Sequence, residues 1–204
     1  MTRSEQVRKF ADLVRRPEAE VDLGRAAFAI AAGAYPGLDA EEWVGKLHDL
    51  AKGVDDLADL RKRLFGDLGF RGDTVAYYDS ENSFLNRVME RRRGIPITLA
   101  VLMMEVGRYA GITLEGIGMP GHFLVRSPGA GVYIDPFDRG EILDERGCEH
   151  RFRASFGAGE EVAFGPVMLP VVSKRDILRR MLTNLQQIYR GESGGEELEW
   201  ITRM

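Results

Sequence analysis

From Ser4 to Leu68 apolar residues recur at three- and four-residue intervals, and breaker residues divide the pattern into four helices. The first runs from Ser4 to Val14, with Val7, Phe10, Leu13 and Val14 on one face, and ends before Pro17. The second, Val21 to Ala32, is more apolar and closes at Tyr35-Pro36-Gly37. Asp39 with Glu42 gives a capping-box-like start to the third, which carries Trp43, Leu47 and Leu50 and stops at Gly53. The fourth spans Asp55 to Leu68, with Leu57, Leu60, Leu64 and Leu68 as its stripe and Gly69 as its stop. A polar, tyrosine-containing loop follows from Gly72 to Ser80, so residues 1–80 read as a helical N-terminal layer.

The pattern then thickens. Asn82 is placed to start a fifth helix through Arg92, with Leu85, Val88 and Met89 inward. Asn82 and Ser83 either cap that helix or line a cleft with what comes next. The run Arg91-Arg92-Arg93 sits where cations offset exposed helix carbonyls, or where they form a patch for an anion or a partner. Pro96 suits a first helical position, since its missing N–H has no intrahelical partner there. Ile97 to Ala110 is mostly apolar, which predicts a helix covered on most sides and stopped at Gly111.

After Gly111 the period changes from helical to alternating. His122 to Arg126 and Val132 to Ile134 flank Ser127-Pro128-Gly129-Ala130, which predicts a hairpin centred on Pro128-Gly129. That centre opposes Arg126 to Gly131, Leu124 to Tyr133 and His122 to Asp135. Opposed residues share a face, within reach of an imidazole–carboxylate hydrogen bond. A His held by an Asp is the base-and-orienter half of a nucleophilic triad. A thiol nucleophile would gain most at the start of the buried helix, where the dipole favours a thiolate. The residues there are Ile95, Pro96, Ile97 and Thr98, and none is a cysteine.

Downstream, Phe137 to Gly140 reads as a turn and Glu141 to Leu143 as a short extended piece. Asp144 to Phe156 is too polar and mixed for an assignment. Cys148 and His150 there form a Cys-x-His pair, but no further ligands stand at metal-site spacing, so neither metal nor cofactor is expected. Phe164 to Pro170 reads as an apolar linker. Ser173 with Asp176 opens a strong helix carrying Leu178, Leu182, Leu185 and Tyr189, and after Gly191 to Gly195 another begins at Glu196 and runs to Arg203.

Composition narrows the function classes. The chain has 204 residues and a formal charge of −4, which disfavours a broad nucleic-acid surface. No apolar run approaches a membrane span, and the segment to Arg16 lacks the apolar core of a signal peptide. A single cysteine cannot form an internal disulfide, and together these features predict a protein of the reducing cytoplasm.

The order of elements resembles the transglutaminase-like core of the papain-type superfamily. Gly94, Ala100, Gly111-Ile112, Gly121-His122 and Asp135-Pro136 match its pattern, and the cysteine position falls on Pro96. More closely, NSFLNRVMERRRGIPITLA and GMPGHFLVR resemble the bacterial SirB-type transglutaminase-like proteins, from about Leu23 to Arg190. The resemblance implies an α+β fold: a central buried helix on a small antiparallel sheet in residues 81–170, with a tetratricopeptide-like helix pair in 171–204. One pair is too short to stand alone, so it either docks on the core or begins a longer array.

Two functions follow from the residues. In the first, the fold keeps its groove as a non-catalytic module for a protein or peptide partner, with His122 and Asp135 as the remnant of a triad and Asn82, Ser83, Arg92 and Thr98 as candidate binding residues. In the second, His122 activates water as a hydrolase or acyl transferase, with Asp135 fixing its tautomer.

Overall fold

A computed structural model describes residues 2–156, 162–191 and 195–204. The N-terminal helices begin where a side chain satisfies their first free amides. Helix α1 (Arg3–Val14) opens on a capping box in which Thr2 Oγ1 accepts from the Glu5 N–H and the Glu5 carboxylate accepts from the Thr2 N–H. Asp22 caps α2 (Leu23–Ala34) by accepting from the Arg25 N–H. Asp39 caps α3 (Ala40–Ala51) through the Glu41 N–H, while Glu42 pairs with Lys46 instead of closing the expected box. The expected fourth helix is split. An α-helical turn, α4 (Leu57–Arg61), passes into a π-helix over Lys62–Asp67, and this wider coil carries Phe65 onto Gly140.

Residues 70–94 depart furthest from expectation. Two short strands, β1 (Arg71–Gly72) and β2 (Arg93–Gly94), pair in parallel and clamp the ends of the segment between them. Asn82 does not start a helix: it lies in a 3₁₀ turn over Ser80–Ser83, and α5 (Leu85–Arg91) follows with no side-chain cap. Its Nδ2 donates to the Ala76 carbonyl at 2.7 Å, so this residue ties down the preceding loop. Arg92 ends α5 in the left-handed region, at φ 58°.

Helix α6 (Pro96–Tyr109) is the axis of the molecule, buried along nearly its whole length. It packs against one face of a four-stranded antiparallel meander, β3 (Glu115–Ile117), β4 (Leu124–Ser127), β5 (Val132–Asp135) and β6 (Glu141–Leu143). The β4–β5 register corrects the expected one. Val125 opposes Ile134 and Arg126 opposes Tyr133, because the turn takes in two more residues on its β5 side, Ala130 and Gly131, with the Gly131 N–H closing on the Ser127 carbonyl at 2.9 Å. A shift of two leaves every side chain on its original face, so the consequence expected for His122 and Asp135 survives the wrong register.

The unassigned polar segment is a helix, α7 (Glu145–Phe156), on the far face of the sheet. Cys148 and Phe152 join Ile117, Met119, Leu124 and Leu143 in a second apolar cluster there. The chain then returns along the edge of β3, where Gly118 N–H meets the Pro170 carbonyl and Val172 N–H the Gly116 carbonyl.

Ser173 caps α8 (Lys174–Gly191) through the Asp176 N–H at 3.1 Å, as its spacing predicts. Helix α9 (Gly195–Arg203) packs on α8, α1 and α2, so the terminal pair docks on the body of the chain. Part of the expected connection between them, 192–194, lies outside the described residues. The main apolar cluster draws on all three expected segments, with Phe10, Val125 and Ile201 among its members. Among the described residues no helix is long and apolar enough to cross a membrane.

Candidate functional site

The first turn of α6, the Gly121-His122-Phe123 segment, the loop before Asn82 and one face of α8 surround a cavity of about 310 Å³. Pro96 and Ile97 form part of its wall from α6, and Tyr77 and Tyr78 from the loop. That loop is held by Asp73, whose Oδ1 accepts from the N–H groups of Val75 and Ala76 at 3.2 and 3.0 Å. These bonds, the Ala76 N–H foremost, hold the Asp73 carboxyl below its ordinary range.

His122 is buried beside the cavity, and its Nε2 lies 2.9 Å from Oδ2 of the fully buried Asp135. The same oxygen meets Arg151 Nε at 2.9 Å, while Oδ1 accepts from the N–H groups of Phe137 and Asp138 at 3.0 and 3.3 Å. A carboxylate used wholly as an acceptor assigns the ring proton to Nε2 and leaves Nδ1 as the nitrogen without a protein partner among the described residues. Phe137 stands edge-on to the ring, with centroids 5.9 Å apart, and fits because Gly72 has no side chain: a Cβ there would lie 2.5 Å from Phe137.

The expected site residues divide into three groups. His122 and Asp135 are bonded, and His122 shares its cavity with Pro96. Asn82, Ser83 and Thr98 are buried behind that wall, outside the lining, and Asn82 supports the Tyr77–Tyr78 loop. Arg92 is on another surface, in a concavity with Trp43, Lys46, Phe70 and Glu90, so the structure does not bring it to His122. Its neighbour Arg91 pairs with Asp79 and Glu81 at 2.9 Å.

The sequence reading missed Arg151, because the polar mix of α7 hid a helix whose one face covers the sheet. It also missed Arg180, Asn184 and Gln187, which line the cavity from α8. Their four- and three-residue spacing makes a second stripe beside the apolar one, and that spacing was available in the sequence. Arg180 donates to the His122 carbonyl at 2.8 Å, and burial holds its guanidinium below the ordinary value.

Chemically, the site supplies a positioned imidazole and uncapped first-turn amides of α6, since Ile95 provides no side-chain cap. It supplies no thiol. Cys148 is fully buried on the other face of the sheet, and burial pushes its thiol up to about 12. His150 is exposed, and among the described residues no group of three or more His, Cys, Asp or Glu is placed to hold a metal ion.

Comparisons with known proteins agree with this architecture. A UPF0162 protein of Xylella fastidiosa (strain Temecula1) is 39% identical over 178 residues, which are 80% of this chain and 63% of that protein. A UPF0162 protein of Pseudomonas aeruginosa is 31% identical over 86% of this chain and 67% of its own length. Human F-box only protein 21 is 32% identical over 139 residues, 63% of this chain and 21% of that protein. This chain therefore spans about 63% of the Xylella relative it matches. No solved structure matches. The sequence model of the Transglutaminase-like superfamily matches residues 30–183, more than half of the chain, and the chain belongs to that superfamily.

Proposed function

We propose that this protein is a non-catalytic transglutaminase-like module whose cavity binds a peptide or protein partner. One observation carries the reading: Pro96 occupies the mouth of α6 in the cavity that His122 lines, so the imidazole and its carboxylate stand ready with no sulfur to activate. The proline also lacks the N–H that position would otherwise lend to a developing oxyanion. Arg151 supports the same reading, because it draws on the carboxylate oxygen that holds the ring. The match to an F-box protein supports a role in protein contacts for this type of domain. The proposed setting is the cytoplasm, with the terminal helices as tetratricopeptide-like contact elements in the manner of SirB-type proteins.

The intact His122–Asp135 pair favours a second reading, in which Nδ1 takes a proton from water attacking a bound carbonyl. A turnover screen with amide, ester and thioester substrates separates the two. The binding reading expects equal, background rates for the wild type and His122→Ala. A wild-type rate that disappears in the variant would establish catalysis.

A further inference from the structure

We propose that the cavity over Pro96 and His122 receives a peptide carboxylate, and that Arg180 is the group that recognises it. The inference rests on the binding reading above and names the chemistry of the ligand.

Many arginines elsewhere in the chain are matched to carboxylates, although the part-buried Arg61 donates to the Gly140 carbonyl instead. Arg25, Arg87, Arg91, Arg108, Arg126, Arg151 and Arg175 each lie within 2.9 Å of an Asp or Glu oxygen. Arg180 has no carboxylate within 4.0 Å among the described residues, although it is withdrawn from solvent. Its neighbours are neutral: the His122 carbonyl at 2.8 Å, the Met119 carbonyl at 3.4 Å and the face of Phe123, 5.4 Å away. Carbonyls orient a guanidinium without cancelling its charge. A half-buried, uncompensated cation on the wall of a cavity is costly until an anion arrives, and a guanidinium fork matches a carboxylate in geometry.

The remaining wall explains why the carboxylate belongs to a peptide. Asn184 and Gln187 continue the Arg180 stripe with amides that can both donate to and accept from a backbone, while Ile95, Phe123 and Ile188 offer an apolar surface for a side chain. At the mouth the wall residue Tyr78 is 77% exposed, and Val75 on the same loop is 90% exposed, which gives a longer ligand apolar footing beyond the cavity. The volume of about 310 Å³ suits a short extended segment.

The test is titration of the ¹⁵N-labelled full chain with four capped tripeptides, followed through the Arg180 Nε–H signal and the amides of Gly121 and Phe123. Acetyl-Ala-Leu-Glu-amide is set against its Gln counterpart, and acetyl-Ala-Gly-Leu with a free carboxylate against its amide. At least one acidic peptide should bind tenfold or more tightly than its neutral twin, and the successful pair shows whether a side chain or a chain end supplies the anion. Arg180→Gln should erase the preference, and Arg180→Lys should keep part of it. Because Arg180 also holds two carbonyls, melting curves accompany these variants, and Asn184→Ala gives a second probe that should weaken acidic and neutral peptides alike. Equal affinity within both pairs, or no shift with any peptide, overturns the role of Arg180. Turnover of the peptides that depends on His122 would instead sink the binding reading while leaving the acid preference standing.

Discussion

The guanidinium of Arg151 meets Oδ2 of Asp135 at 2.9 Å, on the oxygen that also takes the ring of His122. Asp135 is fully buried, so its charge needs every one of these partners. Arg151→Gln should lower stability by about 2 kcal/mol, the scale of one hydrogen bond to a charged group. Asp135→Ala should cost more, about 3–5 kcal/mol, because it leaves the His122 ring, Arg151 Nε and two backbone donors without their acceptor, although Arg151 keeps Asp138 and Glu141 at 2.8 Å. Urea unfolding measures both, and a smaller loss for Asp135→Ala than for Arg151→Gln would show that the carboxylate is not the keystone.

Gly33 and Trp200 fix the docking of α9. A Cβ on Gly33 would lie 2.5 Å from the Trp200 ring, which is 3% exposed. Gly33→Ala should therefore push the ring out at a cost of about 1–3 kcal/mol, the usual range for overpacking. Trp200 emission should move to longer wavelength. With Trp43 the other of two tryptophans, a Trp43→Phe background isolates the signal. An unshifted spectrum would mean that α9 adjusts without leaving its seat.

These two contacts show what the sequence exposes and what it hides. The caps at Asp39 and Ser173 are local, involving partners two or three residues away, and so are visible as short motifs. The pairing of His122 with Asp135 was legible because strand faces repeat every two residues, which made it immune to a register error of two. Arg151 was not legible: it arrives on a helix of mixed polarity whose apolar face is short, and its partner is sixteen residues away on β5. Asn82 was misread for a related reason. Its residue type suits a cap, but its nearest acceptor is the carbonyl of Ala76 in a loop shaped by Asp73.

Asp73 gives that loop a pH dependence. Its carboxyl is held below the ordinary range by the Ala76 N–H above all, with the Val75 N–H and Asn82 also acting. A lowered folded value means the stabilisation is complete above the unfolded value, about 4, and is lost as pH falls through the folded one. Asp73→Ala should cost about 1–2 kcal/mol at neutral pH, and the gap to the wild type should shrink as pH drops below about 4. Urea unfolding across pH checks it. A gap constant down to pH 2 would assign the loss to packing instead of charge.

Pro96→Cys tests whether the site is a triad with one member replaced. The substitution places a thiol at the start of a 14-residue helix, beside an imidazole whose other nitrogen is already held. Helix amides and a nearby imidazole both favour the thiolate, so at pH 6.5 alkylation by iodoacetamide should run about tenfold faster than for a free cysteine. His122→Ala in the same background should return the rate to the free value. The native thiol does not interfere: Cys148 is fully buried, and burial pushes its thiol up to about 12, far above the pH of the experiment. Wild-type protein should accordingly stay unlabelled under the same conditions. If the introduced thiol reacts at the free rate, or is indifferent to His122, the ring does not address the seat that Pro96 occupies, and the residues would be a buried structural pair.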